Sequence, residues 1–534
     1  MQNLSSQILD QNATFRGVPT STLMRNAGIA AAREIRKKFP RTKKVQIFCG
    51  SGGNAGDGFV VAAELLQQKL EVQVFLSKPV RNPDAQFFLK KLPAKVISHF
   101  SEKTKIDGDI LIDALLGVGA TGKLRQPFST IVAKINQAKK SSSRTSEKTC
   151  KIVSLDTPTG NLKPDLIIAF HSSKLTSQDS SNLASRTSSR LTPQTFPKLS
   201  SQISVNLRTH SKINPQAHSK VNPRTHSREI NSRTHSVEVN PRVHPKVNPR
   251  VYSGEIHSKE IVVPIGIPKI AETHFGPGDV KFHFPRRKSE SRKGQNGRVV
   301  IIGGSVEFVG APLFAGLGAQ TAGVDLVNIF VPAVNFSAAR KFCPNFLIQK
   351  FSDNAEFLTI SAAKEILDFA KKNNATLVVG CGLGRNLETV SAVKFIAKKC
   401  QQPLVLDADA LLPDLPKFAS KKVVLTPHAS EFKRLPKNLN ATILKKGRTD
   451  EIISLDRRSR WNDRGDPILT VGGTGDVLAG LVGGLVARNV EPFEAAGIAA
   501  FLLGLTGEKL ALKSESITAQ MLARKIPQII RKCY

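Results

Sequence analysis

Cysteine is scarce: six in 534 residues (Cys49, Cys150, Cys343, Cys381, Cys400 and Cys533), with no C-x-x-C pair. That spacing offers neither a disulfide framework nor a thiolate zinc site, and it fits a reducing, cytoplasmic setting. Long apolar runs are missing too. The richest, around Val477–Ala487 and Ala495–Leu505, fall short of the roughly 18 residues a membrane span needs. Met1–Arg25 is polar and shows no secretory apolar core. Trp occurs once and Tyr twice, against 28 Phe, and aromatics are not interleaved with the basic residues as in RNA-stacking modules. Acidic residues are outnumbered, 42 against 78 Lys plus Arg, for a net charge of +36. The excess is spread along the chain and reads as a solvated basic surface that attracts polyanionic nucleotides; neither a membrane nor a nucleic-acid partner is expected.

What is present has the composition of globular protein, 40% hydrophobic and 22% charged, at a length that predicts roughly two to four domains. Residues 22–39 alternate as an amphipathic helix. Lys44–Cys49 reads as a strand, Gly50-Ser51-Gly52-Gly53-Asn54-Ala55-Gly56-Asp57-Gly58 as a loop and Phe59–Leu66 as a helix, the layout of a nucleotide-binding βα unit. Strands follow at Val72–Leu76 and Asp109–Ala114, with a helix at Ala85–Leu92 between them. A second glycine loop runs from Leu115 to Gly122. Lys151–Leu155 is another strand, ending in Asp156-Thr157-Pro158-Thr159-Gly160. Ligands gather beyond the carboxyl ends of parallel strands, so Asn54, Asp57, Asp113 and Asp156 are predicted to face one crevice. A helix cap is the competing reading of each strand-end aspartate.

Residues 176–253 are of another kind. Ser and Thr dominate first; from Arg208 a unit of eight or nine residues recurs, with further starts at Gln216, Arg224, Arg233, Arg242 and Arg250. Asn-Pro pairs, Ser and Lys cannot bury enough apolar area to offset ordering, so disorder is expected. The recurring His210 to His244 lack the Cys or fixed local geometry a metal site needs.

A basic linker is expected at 269–296. A second α/β domain then starts with strand Arg298–Ile302, a Gly303-Gly304-Ser305 turn and a small-residue helix, Pro312–Ala322. Further strands are predicted at Leu326–Val331, Thr376–Gly380, Leu404–Asp407 and Ala441–Leu444, with helices at 361–372, 387–399, 475–489 and 492–511. Polar strand ends recur: Gly380-Cys381-Gly382-Leu383-Gly384, Asp407-Ala408-Asp409-Ala410, Thr426-Pro427-His428 and Lys445-Lys446-Gly447. The stretch Val471-Gly472-Gly473-Thr474-Gly475-Asp476 carries the sharpest chemistry. Unpaired amides at a helix start hold a phosphate, and a carboxylate in the same turn can take the proton of an attacking hydroxyl. An ordinary Thr-capped loop is the bland alternative.

Met24-Arg25-Asn26-Ala27-Gly28, the Gly50–Gly58 loop, Asp113–Gly119 and Ser154–Gly160 together resemble the NAD(P)H-hydrate epimerase domain, over 20–175 and again at 254–268, where Val263–Pro268 is similar to that domain's closing strand. The order of motifs after 297 resembles the NAD(P)H-hydrate dehydratase domain. Both in succession resemble the bifunctional NAD(P)H-hydrate repair enzymes. The resemblance implies an N-terminal Rossmann-like three-layer α/β/α domain (1–175 and 254–268) interrupted by the repeat insertion, and a C-terminal ribokinase-like α/β domain (297–534).

It also implies roles. Asp156 would be the acid/base of epimerisation; Asn54, Asp113 and Thr159 would hold potassium; Gly53, Asn54, Ala55, Gly56 and Asp57, with the loop Gly117, Val118, Gly119, Ala120, Thr121, Gly122 and Lys123, would bind substrate. In the second domain Ala311, Gly382 and His428 would hold the hydrated dinucleotide, Lys446, Gly447, Arg448, Thr449, Asp450, Thr474 and Gly475 the ADP or ATP with magnesium, and Asp476 would be the base. NADHX and NADPHX are the implied substrates, and a homo-oligomer is expected. Gly53, Ala55 and Thr159 stand where the family has asparagine, glycine and serine, which removes one oxygen donor and predicts a slower or less potassium-dependent epimerase. The segment Phe432–Asn440 is also shorter than the family pattern. A small-molecule kinase of the ribokinase-like fold, or a basic RNA-interacting protein with degenerate domains, are the rival readings.

Overall fold

The protein is described by a computed structural model for residues 6–117, 123–145, 150–170, 258–351 and 356–534. The repeat insertion at 176–253, the adjoining 254–257 and five predicted loop residues, Val118, Gly119, Ala120, Thr121 and Gly122, lie outside the described residues.

Strands form where Val, Ile, Leu and Phe run without interruption, because these strands are covered on both faces. Among the described residues the N-terminal sheet has seven parallel strands in the order β3-β2-β1-β4-β5-β6-β7: β1 Lys44–Cys49, β2 Glu71–Leu76, β3 Ile97–His99, β4 Ile110–Ala114, β5 Lys151–Leu155, β6 Leu166–Ala169 and β7 Lys259–Val262. Helices Thr20–Lys38 and Gly53–Gln67 bury Phe59, Val61, Leu65 and Ile35 against one face; Phe128–Thr145 covers the other through Ile131 and Ile135.

The C-terminal sheet has nine strands in the order β10-β9-β8-β11-β12-β13-β14-β15-β16: β8 Arg298–Ile302, β9 Leu326–Val331, β10 Phe346–Lys350, β11 Thr376–Val379, β12 Leu404–Leu406, β13 Val423–Leu425, β14 Thr442–Lys445, β15 Asp450–Ile453 and β16 Ser459–Asn462. All pairings are parallel except β14 with β15 and β15 with β16. Helix Thr474–Ala487 is apolar all round because it is enclosed between that sheet and the helices Gly310–Thr321 and Pro492–Ala511. Helices Ile360–Lys372 and Leu387–Lys399 cover the opposite face. Both halves are three-layer α/β/α, and together they pack as one compact unit. No helix among the described residues is long and apolar enough to cross a membrane.

Each sheet reverses direction once. The chain builds β1, β2, β3 outward and then returns to lay β4 on the other side of β1; β8, β9, β10 and β11 repeat the manoeuvre. Such switch points open a crevice at the carboxyl ends of the two central strands. Both crevices are pinned by a glycine just past the first strand: a Cβ on Gly50 would collide with Leu115 O, and one on Gly303 would lie 2.5 Å from Cys381 O. Neither position accepts a side chain without displacing the loop opposite.

Several expectations are corrected. The helix that follows β1 begins at Gly53, not Phe59, so Gly53 to Gly58 form helical turns instead of a loop. The closing strand is Lys259–Val262, ahead of the predicted Val263–Pro268, because Pro264 and Pro268 lack the N–H a ladder needs and Gly266 sits at φ +84°. The stretch expected as a linker carries two short helices, Lys269–Thr273 and Pro277–His283, the second of which buries Asp279 and Val280. A polar first helix, Ser6–Phe15, was not expected at all.

Candidate functional site

The C-terminal crevice assembles around the start of helix Thr474–Ala487. Gly473 holds φ +90° directly ahead of it, and a Cβ there would lie 2.6 Å from Phe314, so glycine alone sets this turn. No side chain caps the helix: Thr474 Oγ1 is spent on Leu469 O at 2.9 Å and Val471 O at 3.0 Å. The first-turn amides therefore keep their donors for a ligand.

Asp476 stands in that turn. Its carboxylate, the Asp407 carboxylate and Cys381 Sγ lie within 4.8 Å of one another. Burial, then the charge of Asp407, pushes the Asp476 carboxyl from its ordinary 3.8 up to about 7, against the pull of the Cys381 thiol and of Lys446. Asp407 is buried at the end of β12 and accepts Thr426 Oγ1 at 2.7 Å and Lys446 Nζ at 2.9 Å. Burial works against the Lys446 ammonium, but Asp407 more than offsets it and the pKa stands above its usual value. The result is one base poised near neutrality, one permanent cation and an open helix start on the same edge of the sheet.

The other predicted residues of this half fall into two groups. Ala311 and Gly382 adjoin, with the Cβ position of Gly382 3.0 Å from Ala311 Cβ, and Gly475 faces Lys446, 3.7 Å from its Nζ to the Cβ position. Gly447, Arg448 and Thr449 form an exposed turn after β14, closed by Gly447 N donating to Asp450 Oδ1 at 3.0 Å. Asp450 Oδ2 in turn accepts Asn462 Nδ2 at 2.9 Å, which makes it a brace of the turn. His428 is exposed and caps the short helix Ala429–Arg434, its Nδ1 accepting Glu431 N at 3.3 Å. Sequence reasoning passed over Asp407, Thr426 and Cys381 as site residues. The polar ends of β12 and β13 were visible, but nothing in the spacing said which of them would meet Lys446.

In the N-terminal crevice a cavity of about 280 Å³ is lined by Gly53, Asn54, Asp57, Gly117 and Asp156, among others. Asp156 holds φ +65°, uncommon for a residue with a side chain, and its Oδ2 lies 3.1 Å from the Cβ position of Gly117. Burial, then the charges of Asp156 and Asp10, holds the Asp57 carboxyl well above the usual range. Ala55 is fully buried and Gly56 packs under Met24, so these two side-chain positions face the core and not the cavity. Lys123 is exposed at the far end of the loop.

Asp113 lies fully buried beneath the cavity and accepts four donors: Ser154 Oγ at 3.0 Å, Thr159 N at 2.8 Å, Thr159 Oγ1 at 2.8 Å and Leu115 N at 3.2 Å. Asn54 donates from Nδ2 to Leu116 O and Leu155 O, while its Oδ1 is buried without a partner. Of the three predicted potassium ligands only Asn54 thus keeps a free buried oxygen, an acceptor that a cation could satisfy; the Asp113 carboxylate and Thr159 Oγ1 are already bonded to each other.

Two α/β halves, each with a polar crevice at its switch point and the second with a base beside an open helix start, define a two-site nucleotide-handling enzyme. Family comparison agrees: a family described as NAD(P)H-hydrate dehydratase matches residues 299–531, and one described as YjeF-related protein N-terminus matches 20–167. A bifunctional NAD(P)H-hydrate repair enzyme from Methanopyrus kandleri is 32% identical over 98% of this chain and 95% of its own; its counterpart in Archaeoglobus fulgidus is 31% identical over 99% and 97%. An ADP-dependent (S)-NAD(P)H-hydrate dehydratase from Nitrosopumilus maritimus is 39% identical over 44% of this chain and 88% of its own. The chain belongs to the bifunctional NAD(P)H-hydrate repair enzyme family.

Proposed function

We propose that the chain restores hydrated nicotinamide cofactors, with residues up to 268 interconverting the two epimers of NADHX and NADPHX and residues from 297 removing water from the S epimer at the expense of ADP or ATP. The observation that carries the reading is Asp476: a carboxyl with a pKa of about 7, in the same helical turn as the unpaired amides and within reach of Lys446 and Asp407. Asp476 takes the proton of the substrate hydroxyl as that oxygen attacks the terminal phosphorus. The amides of Thr474, Gly475 and Asp476 receive the charge that develops on the phosphoryl oxygens, and Lys446 holds the nucleotide phosphates. Loss of phosphate from that carbon, with loss of a proton from the adjacent ring carbon, then returns the ring double bond. Magnesium bound with the nucleotide would offset phosphate charge; being oxygen-seeking, it would be held by the Asp407 carboxylate and not by the neighbouring Cys381 thiol, with Asp476 left free as the base.

In the N-terminal half Asp156 moves the proton of epimerisation, beside the Asp57 carboxyl that burial and the charges of Asp156 and Asp10 raise well above its usual range. Potassium would take the free Asn54 Oδ1 beside the Gly117 loop, and Asp113 and Thr159 would join it only by exchanging the hydrogen bond they make to each other. The protein works in the cytoplasm as a homo-oligomer. A mixed-epimer NADHX preparation given the purified protein, magnesium and ADP or ATP is expected to regain the absorbance of NADH completely and faster in potassium than in sodium. Consumption that halts at half would show an inert N-terminal half, and no recovery with either nucleotide would refute the reading.

A further inference from the structure

We infer that the helix Ser6–Phe15 is a working wall of the epimerase cavity which the dehydratase half holds in place, with Arg16 and Asn12 as positioning residues for Asp10. The inference rests on the epimerase reading of that cavity. Ser6 and Asp10, four residues and so about one turn apart, share one helix face, and both line the cavity together with Asp57 and Asp156.

That wall does not hold itself. A helix of 10 residues is marginal in isolation, since its few hydrogen bonds barely repay nucleation. Asp10 also brings a third carboxyl to a cavity that already holds Asp57 and Asp156, and its charge is one of the causes that raise the Asp57 carboxyl.

The hold comes from beyond residue 270. Asn12, 2% exposed, donates from Nδ2 to Asp279 Oδ2 at 3.0 Å and accepts Gly278 N at 2.9 Å. Asp279 is itself clasped by Arg460, Nη1 at 2.7 Å and Nη2 at 3.1 Å. Just past the helix, Arg16 makes a two-pronged pair with Asp463, at 2.8 and 2.7 Å. Phe15 meets Phe501 edge-on at 5.7 Å. Asp463, Arg460 and Phe501 all belong to the dehydratase half, so the epimerase cavity is complete only while that half is folded against it.

The test uses the full chain and two separate rates: epimer interconversion of NADHX by chromatography without nucleotide, and dehydration of the S epimer with ADP or ATP and magnesium. Arg16→Ala and Asn12→Ala are each expected to slow interconversion by about ten- to a hundredfold, the scale of a misplaced cavity group, while dehydration is unchanged. Asp10→Asn is expected to reproduce the loss, and the exchange Arg16→Asp with Asp463→Arg to restore interconversion. Wild-type interconversion that survives both single variants overturns the inference. A parallel fall of both rates overturns it too, since that is global destabilisation and not positioning. Absence of interconversion in the wild type is a different result: it refutes the epimerase reading on which this inference stands.

Discussion

Replacing Asp476 by Asn is expected to do two opposite things at once. The carboxyl stands at about 7 instead of 3.8, and at about 1.4 kcal/mol per pH unit this is about 4 kcal/mol of disfavour for the ionised form in the folded protein. The sign follows from a folded-state pKa above the unfolded one. Stability is fully present below pH 4 and is lost as pH rises through 7, where the buried anion must form beside Asp407. Asparagine has the same shape and never ionises. The variant should therefore match the wild type at pH 4 and exceed it at pH 8, by about 1 to 4 kcal/mol once solvent screening at this partly buried site is allowed for. Dehydration should fall by about 10²- to 10⁴-fold, the usual worth of a general base. In the wild type the rate should climb with pH to a plateau above 7. Thermal unfolding scans at pH 4, 6 and 8, paired with the rate–pH profile, measure both. A variant no more stable than wild type at pH 8, or one that keeps its rate, would refute the claim that burial and Asp407 create the base.

Asp407→Asn should draw the rising limb of the same rate profile to lower pH, because one of the two main causes holding the Asp476 carboxyl high is removed. Asp113→Ala strands the buried donors of Ser154, Thr159 and Leu115, and calorimetry should show the N-terminal half losing about 3 to 5 kcal/mol. Gly473→Ala forces a Cβ into Phe314 at a left-handed backbone position; nucleotide KM should rise while epimerisation is untouched. Neighbouring β6 and β7 are parallel, a pairing that needs a crossover of only about a dozen residues. Replacing 171–257 by a polar linker of about 20 residues should leave both rates unchanged.

Much of this architecture is written locally. Lys44–Cys49, Lys151–Leu155, Arg298–Ile302 and Leu326–Val331 are unbroken apolar runs and fold as read. The glycine loop opening a long apolar helix at 474 was legible as well, and the helix begins at Thr474 with Asp476 in its first turn. What escaped is settled by partners far away in sequence. The helix Ser6–Phe15 has only Ile8, Leu9, Asn12 and Ala13 buried, a pattern too thin to announce itself. The outer strands Asp450–Ile453 and Ser459–Asn462 are polar and persist by pairing. Asp407 looked like any strand-end cap until Lys446 and Thr426, some 39 and 19 residues on, closed around it.

The pair between Arg16 and Asp463 spans 447 residues of chain, and Gln11 reaches Cys533 across 522. A ribosome releases Ser6–Phe15 long before it makes the surface that receives it. Through most of synthesis that segment has no dock, and the seven-stranded sheet must mature with one wall missing. If that segment is the wall we infer, interconversion of the epimers reaches its full rate only when translation is all but finished.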